Sequence, residues 1–451
     1  MSGTDFNLTA LIILGTVFFL AHVGLLISSR WLNLLMLVAA GYLLLSPMSA
    51  ATSFPLVVPA KYGRIYCTVL VILLGFLVAR VYRIRPVGIM FLAFVGLYAL
   101  AGLWSDSPLD AIKYKGLYFA VVISGFFVAY ALRSLSDFTN GMRLFGLACA
   151  GFAALIVLDM ARNPSAISHV GRLAAWGMNG NRIGQTAAPM LTICAYLALY
   201  DPAKMWKVFG YCVGAVLGII IIYTGSRGAA AEGMLGCFIV GIPLMKRPGL
   251  FAVVLIMFSI TVYLAYTYSG ASDEASSRFL DVSLDTRADP WSEAEYYMQG
   301  SPVFGVGWVS QIGSSGGETT QNMHSMYMQV AVEAGLVGLA VLFLAMLAIF
   351  VKGWNELRNM RAVGTHVHTM YFAVAMLVSI FAHGALEAGT ITGSLVNSML
   401  LPFAIGLLDR LPELQEQELL ADELEWEHGY GADNALEYDE MSDGQTWAPA
   451  T

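Results

Sequence analysis

The feature that most constrains this chain is the recurrence of apolar runs long enough to cross a bilayer. They fall at about 8–28, 31–46, 65–82, 87–103, 116–132, 144–161, 184–200, 207–225, 229–245, 249–268, 325–351, 370–386 and 391–408. A hydrocarbon layer about 30 Å thick needs roughly 20 apolar residues in a helix. Helices are required because lipid offers the backbone no hydrogen-bond partners. The runs predict an all-α polytopic membrane protein with 13 spans, or 12 if the closely spaced pair 8–46 forms one. Composition excludes the alternatives: 58% of the 451 residues are hydrophobic and 12% are charged, about half the charged share of a soluble domain. So few charges cannot clothe a globular cytosolic enzyme, a nucleic-acid binder or a disordered chain.

The net charge of −7 conceals two objects. Twelve of the 31 acids follow Arg410, after which no Lys or Arg occurs, so the body keeps all 24 bases against 19 acids. The segment 413–451 is expected to be an acidic, solvated and disordered tail appended to a membrane domain over 1–412. Its plain reading is a solubilising end, and its sharper one a docking segment for assembly partners.

If the long loop 269–323 lies outside, 14 of the 24 bases fall inside, as the distribution of Lys and Arg across membranes favours. The tail is then cytoplasmic. The other ten are Lys61, Arg64, Lys113, Lys115, Arg162, Arg172, Arg182, Arg227, Arg278 and Arg287. Topology alone would exclude them from that side, so either water solvates them or a bound anion calls for them. The five cysteines each fall in an apolar stretch without a C-x-x-C pair, which suits small packing residues. The N-terminus has no basic leader before its first apolar run, so that run is expected to remain as a span.

Within the loop, 286–299 reads as a short helix with Asp289 as cap and Pro290 in the first helical position. The stretch Gly300-Ser-Pro-Val-Phe-Gly-Val-Gly-Trp308 then breaks it and turns the chain back toward the membrane.

Few residues outside the tail suit chemistry. His324 stands at the entrance of an apolar run, where the helix dipole disfavours the imidazolium and leaves a neutral base. The plainer reading is an interfacial capping histidine. Arg227 is enclosed between two apolar runs, where an unpaired guanidinium is expensive. It either pairs with an acid such as Glu232 or faces a cavity and binds an anion. Arg287 opens the loop helix, and Arg182 sits in Asn179-Gly-Asn-Arg-Ile-Gly184 at another span mouth. Three such forks, if they converge, suit a diphosphate. Buried-looking acids are Asp159, Glu232, Glu333 and Glu387. His383 and Glu387 share a helix face, which reads as a hydrogen-bonded pair because no further metal ligands stand nearby. No metal-protease, P-loop, hydrolase-elbow or dinucleotide fingerprint occurs.

Taken together, Thr224-Gly-Ser-Arg-Gly228, Arg287 with Trp291, Ser301-Pro-Val-Phe-Gly-Val-Gly307, His324-Ser-Met-Tyr-Met-Gln-Val330 and Glu333-Ala-Gly-Leu-Val-Gly338 resemble the bacterial O-antigen ligase and polysaccharide polymerase superfamily. Leu103-Trp-Ser-Asp-Ser-Pro108 is similar to an early outside turn of that family. The likeness is most specific over about 220–340, with a core of about 180–345. Asn179-Gly-Asn-Arg departs from the Asn-Pro-Asn-like form often found there.

The resemblance implies the fold of glycosyltransferases that use lipid-linked donors, in the bacterial inner membrane with the site facing the periplasm. The donor would be a glycan on undecaprenyl diphosphate and the acceptor a lipid A core sugar or another lipid-linked repeat. No cofactor, metal or nucleic acid takes part in that reading. His324 matches the family's base, and Arg227 and Arg287 its diphosphate-binding arginines, to which we add Arg182. The rivals are a polymerase of O-antigen, capsule or exopolysaccharide on the same donor and, from another class, a transporter or flippase of lipid-linked glycans.

Overall fold

The computed structural model describes residues 30–78, 85–163, 166, 172–246, 285–308, 325–363, 367–387 and 396–442. They form α1 (Trp31–Met48), α2 (Val57–Val78), α3 (Pro86–Leu100), α4 (Pro108–Tyr130), α5 (Leu135–Arg162), α6 (Gly180–Tyr200), α7 (Lys204–Thr224), α8 (Arg227–Gly241), α9 (Asp285–Gly300), α10 (Met326–Val363), α11 (Val367–Leu386) and α12 (Asn397–Ser442). No strand occurs among the described residues. Among the described residues, ten helices are long and apolar enough to cross a membrane. They coincide with ten of the expected spans. The expected spans at 8–28 and 249–268 lie outside the described residues, and the one at 391–408 overlaps the apolar start of α12.

The chain is thus an all-helical multi-pass membrane protein. Its outer surface has the chemistry of lipid: Phe76, Leu77, Met205 and Leu109 are exposed on α2, α7 and α4. Only 28% of the apolar window of Lys204–Thr224 is buried, a helix that water would not tolerate with so much apolar surface uncovered.

The helix ends follow local chemistry. Pro86 and Pro108 occupy the first turns of α3 and α4, where a missing N–H costs nothing. Ser134 and Asp137 exchange side-chain and backbone hydrogen bonds, each 3.1 Å, in a capping box at the start of α5.

Among the described helices, α4 packs along α12, α6 along α7 and α8, and α8 against α11. The close approach of α4 and α12 depends on Gly125, whose missing Cβ leaves room for the Met399 carbonyl and the Pro402 ring. Edge-on aromatic pairs fill the centre: Phe145–Phe403 at 5.6 Å and Phe138–Phe372 at 5.9 Å.

The helix expected at 286–299 is present but starts at Asp285, so Asp289 and Pro290 lie inside it rather than serving as its cap and first residue. The acidic segment, expected to be disordered, continues α12 as helical backbone to Ser442. Leu414 and Gln415 are buried there, so packing extends past the apolar run, and the residues up to Ala421 are good helix formers.

Candidate functional site

Six helices, α2, α4, α6, α8, α10 and α12, begin at one end of the bundle, where α1, α3, α5, α7 and α11 finish. Contacts between their termini define that end. Ser105 donates to the Trp308 carbonyl at 2.6 Å, and Arg172 Nε donates to the Thr224 carbonyl at 2.9 Å. Asn181 Nδ2 donates to Glu387 Oε1 at 3.2 Å.

Two expected site residues are fully described there. Arg182 lies in the first turn of α6 and Arg227 in the first turn of α8. The two turns touch: a Cβ on Gly184 would stand 2.8 Å from Ala229 Cβ and 3.1 Å from both Ser226 Cβ and Thr224 Oγ1. Each turn is capped by a side chain, Asn179 accepting from Asn181 N–H and Ser226 from Ala229 N–H. Gly225, at φ 60°, ends α7 and permits the reversal into α8 within two residues.

Neither Arg182 nor Arg227 has a carboxylate partner among the described residues. Glu232, the acid expected as an alternative partner for Arg227, is engaged elsewhere. Its Oε2 lies 2.6 Å from His383 Nδ1, and its Oε1 accepts from Asn397 Nδ2 at 3.2 Å. Glu232 and His383 are almost wholly buried, so this contact joins α8 to α11 inside the bundle. The sequence paired His383 with Glu387 on one face. They do share it, since both stand 3.7 Å from where a Cβ on Gly228 would be, but their polar partners differ. Glu387 accepts from Asn181, whose Oδ1 in turn accepts from Arg172 Nη2 at 2.6 Å.

From sequence, Arg172 is one more base on the loop side, and Asn181 and Asn397 carry no assigned role. The pattern Asn179-Gly-Asn-Arg was the available signal for Asn181. Nothing local marked Asn397. Asp159 is buried and accepts from the Trp176 N–H at 2.5 Å, which holds Trp176 at a left-handed φ of 54°. That turn leads directly into Asn179 and sets where α6 begins.

The stretch 301–308 and α10 meet at a broken helix. Gly335 adopts φ 67°, ψ −171°, which interrupts α10. The groups freed by the break pair with the loop: Val306 N–H donates to Val332 O at 2.9 Å and Gly307 N–H to Glu333 O at 3.0 Å. In return Leu336 and Val337 donate to Pro302 O and Val303 O. Beneath the break Glu333 Oε2 lies 2.8 Å from Lys115 Nζ, both nearly inaccessible. The same ammonium donates to Tyr98 O at 2.9 Å and stands 3.7 Å from the Tyr98 ring centre. Lys115 is therefore one loop-side base explained by an internal acid.

His324 lies outside the described residues. Ser325, next in sequence, accepts from Met328 N–H at 3.5 Å, and Met326 packs on Gly384 beside His383. Arg287 falls in the first turn of α9, and its side chain lies outside the described atoms. Among the described residues no three His, Cys, Asp or Glu side chains converge closely enough to share a metal ion.

In this multi-pass helical bundle Arg182 and Arg227 stand at one end without a carboxylate partner among the described residues, while the buried acids of that end, Glu232, Glu333 and Glu387, are engaged by other groups. Residues 212–343 match the O-antigen ligase family. That segment runs from α7 through α8 and α9 into α10, and so contains Arg227, Arg287, His324 and the broken helix. The domain implies a glycosyl-transferring enzyme whose substrates are lipid-linked glycans. No curated protein matches the chain.

Proposed function

We propose that the protein is an O-antigen ligase-like glycosyltransferase, moving a glycan from undecaprenyl diphosphate to a sugar hydroxyl of lipid A core at the periplasmic face of the bacterial inner membrane. The observation that carries this reading is the charge imbalance where α6 and α8 touch. Arg182 and Arg227 stand there without a carboxylate partner among the described residues, while Glu232 and Glu387 are held by His383, Asn397 and Asn181. The matched O-antigen ligase segment includes one of these arginines.

In this reading the acceptor hydroxyl gives its proton to His324 as its oxygen attacks the anomeric carbon. The bond from that carbon to the diphosphate oxygen breaks, and its electron pair leaves with the diphosphate. The guanidinium groups of Arg227, Arg287 and Arg182 bind the growing negative charge, aided by the N-terminal ends of α6 and α8. The forked geometry matters, because each guanidinium can bind two phosphate oxygens at once. Membrane domain and acidic segment divide at about residue 412, and the chemistry belongs to the membrane domain.

The test is glycan transfer by purified protein in nanodiscs, given undecaprenyl-diphosphate glycan and lipid A core. His324→Ala is expected to abolish transfer at unchanged protein level, and Arg227→Lys to lower it at least tenfold. Undiminished transfer by His324→Ala would remove the base. Chain growth on lipid-linked repeats without any product on lipid A core would reassign the protein as a polymerase. Glycan crossing the bilayer with no new glycosidic bond would make it a transporter.

A further inference from the structure

The guanidinium of Arg172 joins the two helix starts that carry Arg227 and Arg182. Arg172 is partly buried in the segment between α5 and α6. Its Nε donates to the Thr224 carbonyl at 2.9 Å, and its Nη2 donates to Asn181 Oδ1 at 2.6 Å. Thr224 ends α7, and the last carbonyls of a helix have no partner within it. The Leu173 N–H donates to the preceding one, Tyr223 O, at 2.9 Å. Residues 172 and 173 thus close α7 from outside, with a cation at the negative end of its dipole. Asn181 stands beside Arg182 in the first turn of α6 and extends the link by donating to Glu387 Oε1 at 3.2 Å.

Two glycines leave room for this junction. A Cβ on Gly225 would lie 3.5 Å from Arg172 Nε, and one on Gly180 would lie 3.0 Å from the Thr224 carbonyl and 3.4 Å from Arg172 Nη2. The planar group therefore fills the space between the α7–α8 turn and the start of α6. Arg227 follows Thr224 within that turn, and Arg182 follows Asn181 directly. We propose that Arg172 is a positioning residue for diphosphate binding: it fixes the α7–α8 turn against the first turn of α6, so that Arg227 and Arg182 present their forks at one spacing. The proposal rests on the donor reading above and adds to it a residue outside the segment 212–343. A diphosphate carries its two phosphates at a set separation, so its affinity depends on forks held in place beforehand. A single phosphate needs only one fork.

The experiment measures equilibrium binding of inorganic diphosphate and, separately, inorganic phosphate to the full chain in phosphatidylcholine nanodiscs, together with steady-state glycan transfer. Arg172→Gln is expected to weaken diphosphate binding by about tenfold, the scale of one misplaced charge-assisted contact, and phosphate binding by less than about twofold. In transfer the donor KM should rise while the acceptor KM stays. A merely structural arginine would lower the active fraction and so kcat, leaving both KM values and the diphosphate-to-phosphate preference as in wild type, and that result would overturn the proposal. Asn181→Ala removes the Nη2 acceptor but keeps the guanidinium. It should show the same selective loss, and the double variant Arg172→Gln/Asn181→Ala should be no worse than the worse single one. Losses that add would mean that Arg172 grips the ligand itself, against a positioning role. Wild-type diphosphate affinity in both single variants would refute the role of Arg172 and leave the donor reading standing. A wild-type protein that binds no diphosphate would defeat the donor reading, and this proposal with it.

Discussion

Removing Lys115 should injure this protein more than removing both members of its ion pair. Lys115 Nζ and Glu333 Oε2 are 2.8 Å apart, with side chains 4% and 1% exposed. In Lys115→Met the carboxylate keeps the bond from Gln329 Nε2 to Oε1 at 2.9 Å and its interaction with the Tyr98 side chain, and loses its counter-charge. Stranding a buried charge costs about 3–5 kcal/mol, and the remaining hydrogen bond places this site near the lower figure. About 3 kcal/mol is roughly a hundredfold in the unfolding constant. The double variant Lys115→Met/Glu333→Gln retains an acceptor for Gln329 and strands no charge. It is therefore expected within about 1 kcal/mol of wild type. Equilibrium unfolding in mixed detergent micelles, run on both single variants and the double, yields the coupling energy directly. Transfer activity should follow stability, because the Glu333 carbonyl also holds Gly307, and Trp308 stacks on Tyr114 one residue before Lys115 at 5.3 Å. A single variant Lys115→Met that unfolds like wild type, or a double variant as unstable as the worse single one, would refute the reasoning.

Two further outcomes follow from the same geometry. Gly335→Ala places a Cβ against the Val303 carbonyl at a backbone conformation that only glycine adopts readily, so the loop 302–307 should undock. Limited proteolysis should then cut between α9 and α10 faster than in wild type, and equal cleavage rates would contradict this account. At the other end of the bundle, burial works against ionisation of Glu413, but bonds from Arg410 at 2.6 Å and Arg85 at 2.5 Å prevail and hold its carboxyl below the usual range. Its stabilising effect is complete above the ordinary glutamate pKa and disappears as pH falls through the lowered one. Wild type minus Glu413→Gln should thus show a stability difference at pH 7 that fades under acid, measured by thermal unfolding across pH, and a difference independent of pH would exclude the linkage.

How much of this was legible beforehand depends on the range of the interaction. The spans were visible because bilayer thickness acts on each helix separately, and the loop helix because its polar stretch is bounded by a glycine break. Gly335 falls within the motif Glu333–Gly338, but an apolar run gives no sign that its helix is broken. The break is repaired by Pro302 to Gly307, and that pairing exists only in three dimensions. Charge partners were the least legible. Spacing suggested Arg227 with Glu232 and His383 with Glu387, whereas folding joins Glu232 to His383 across 151 positions and Asn181 to Glu387 across 206. Local spacing can propose only neighbours on one helix, and in lipid the costly charges are satisfied between helices.

The two ends of the bundle then serve as controls for each other. At the end bearing Glu413, Arg85, Arg143 and Arg410 each hold a carboxylate, and Lys352 contacts both Glu356 and Asp409. These helices are therefore able to pair their cations where pairing suffices. At the opposite end acids are present and buried, yet His383, Asn397, Asn181 and Lys115 take them, and Arg64, Arg182 and Arg227 remain without one among the described residues. Arginines without a carboxylate partner among the described residues occur at both ends, but Arg30, Arg133, Arg358 and Arg361 at the first end are exposed, whereas Arg64, Arg182 and Arg227 are partly buried. Confinement of the partly buried, carboxylate-free ones to the end where the O-antigen ligase segment has its broken helix fits the proposed site for a lipid-borne diphosphate, because a carboxylate already bound there would compete with the phosphate for the same forks.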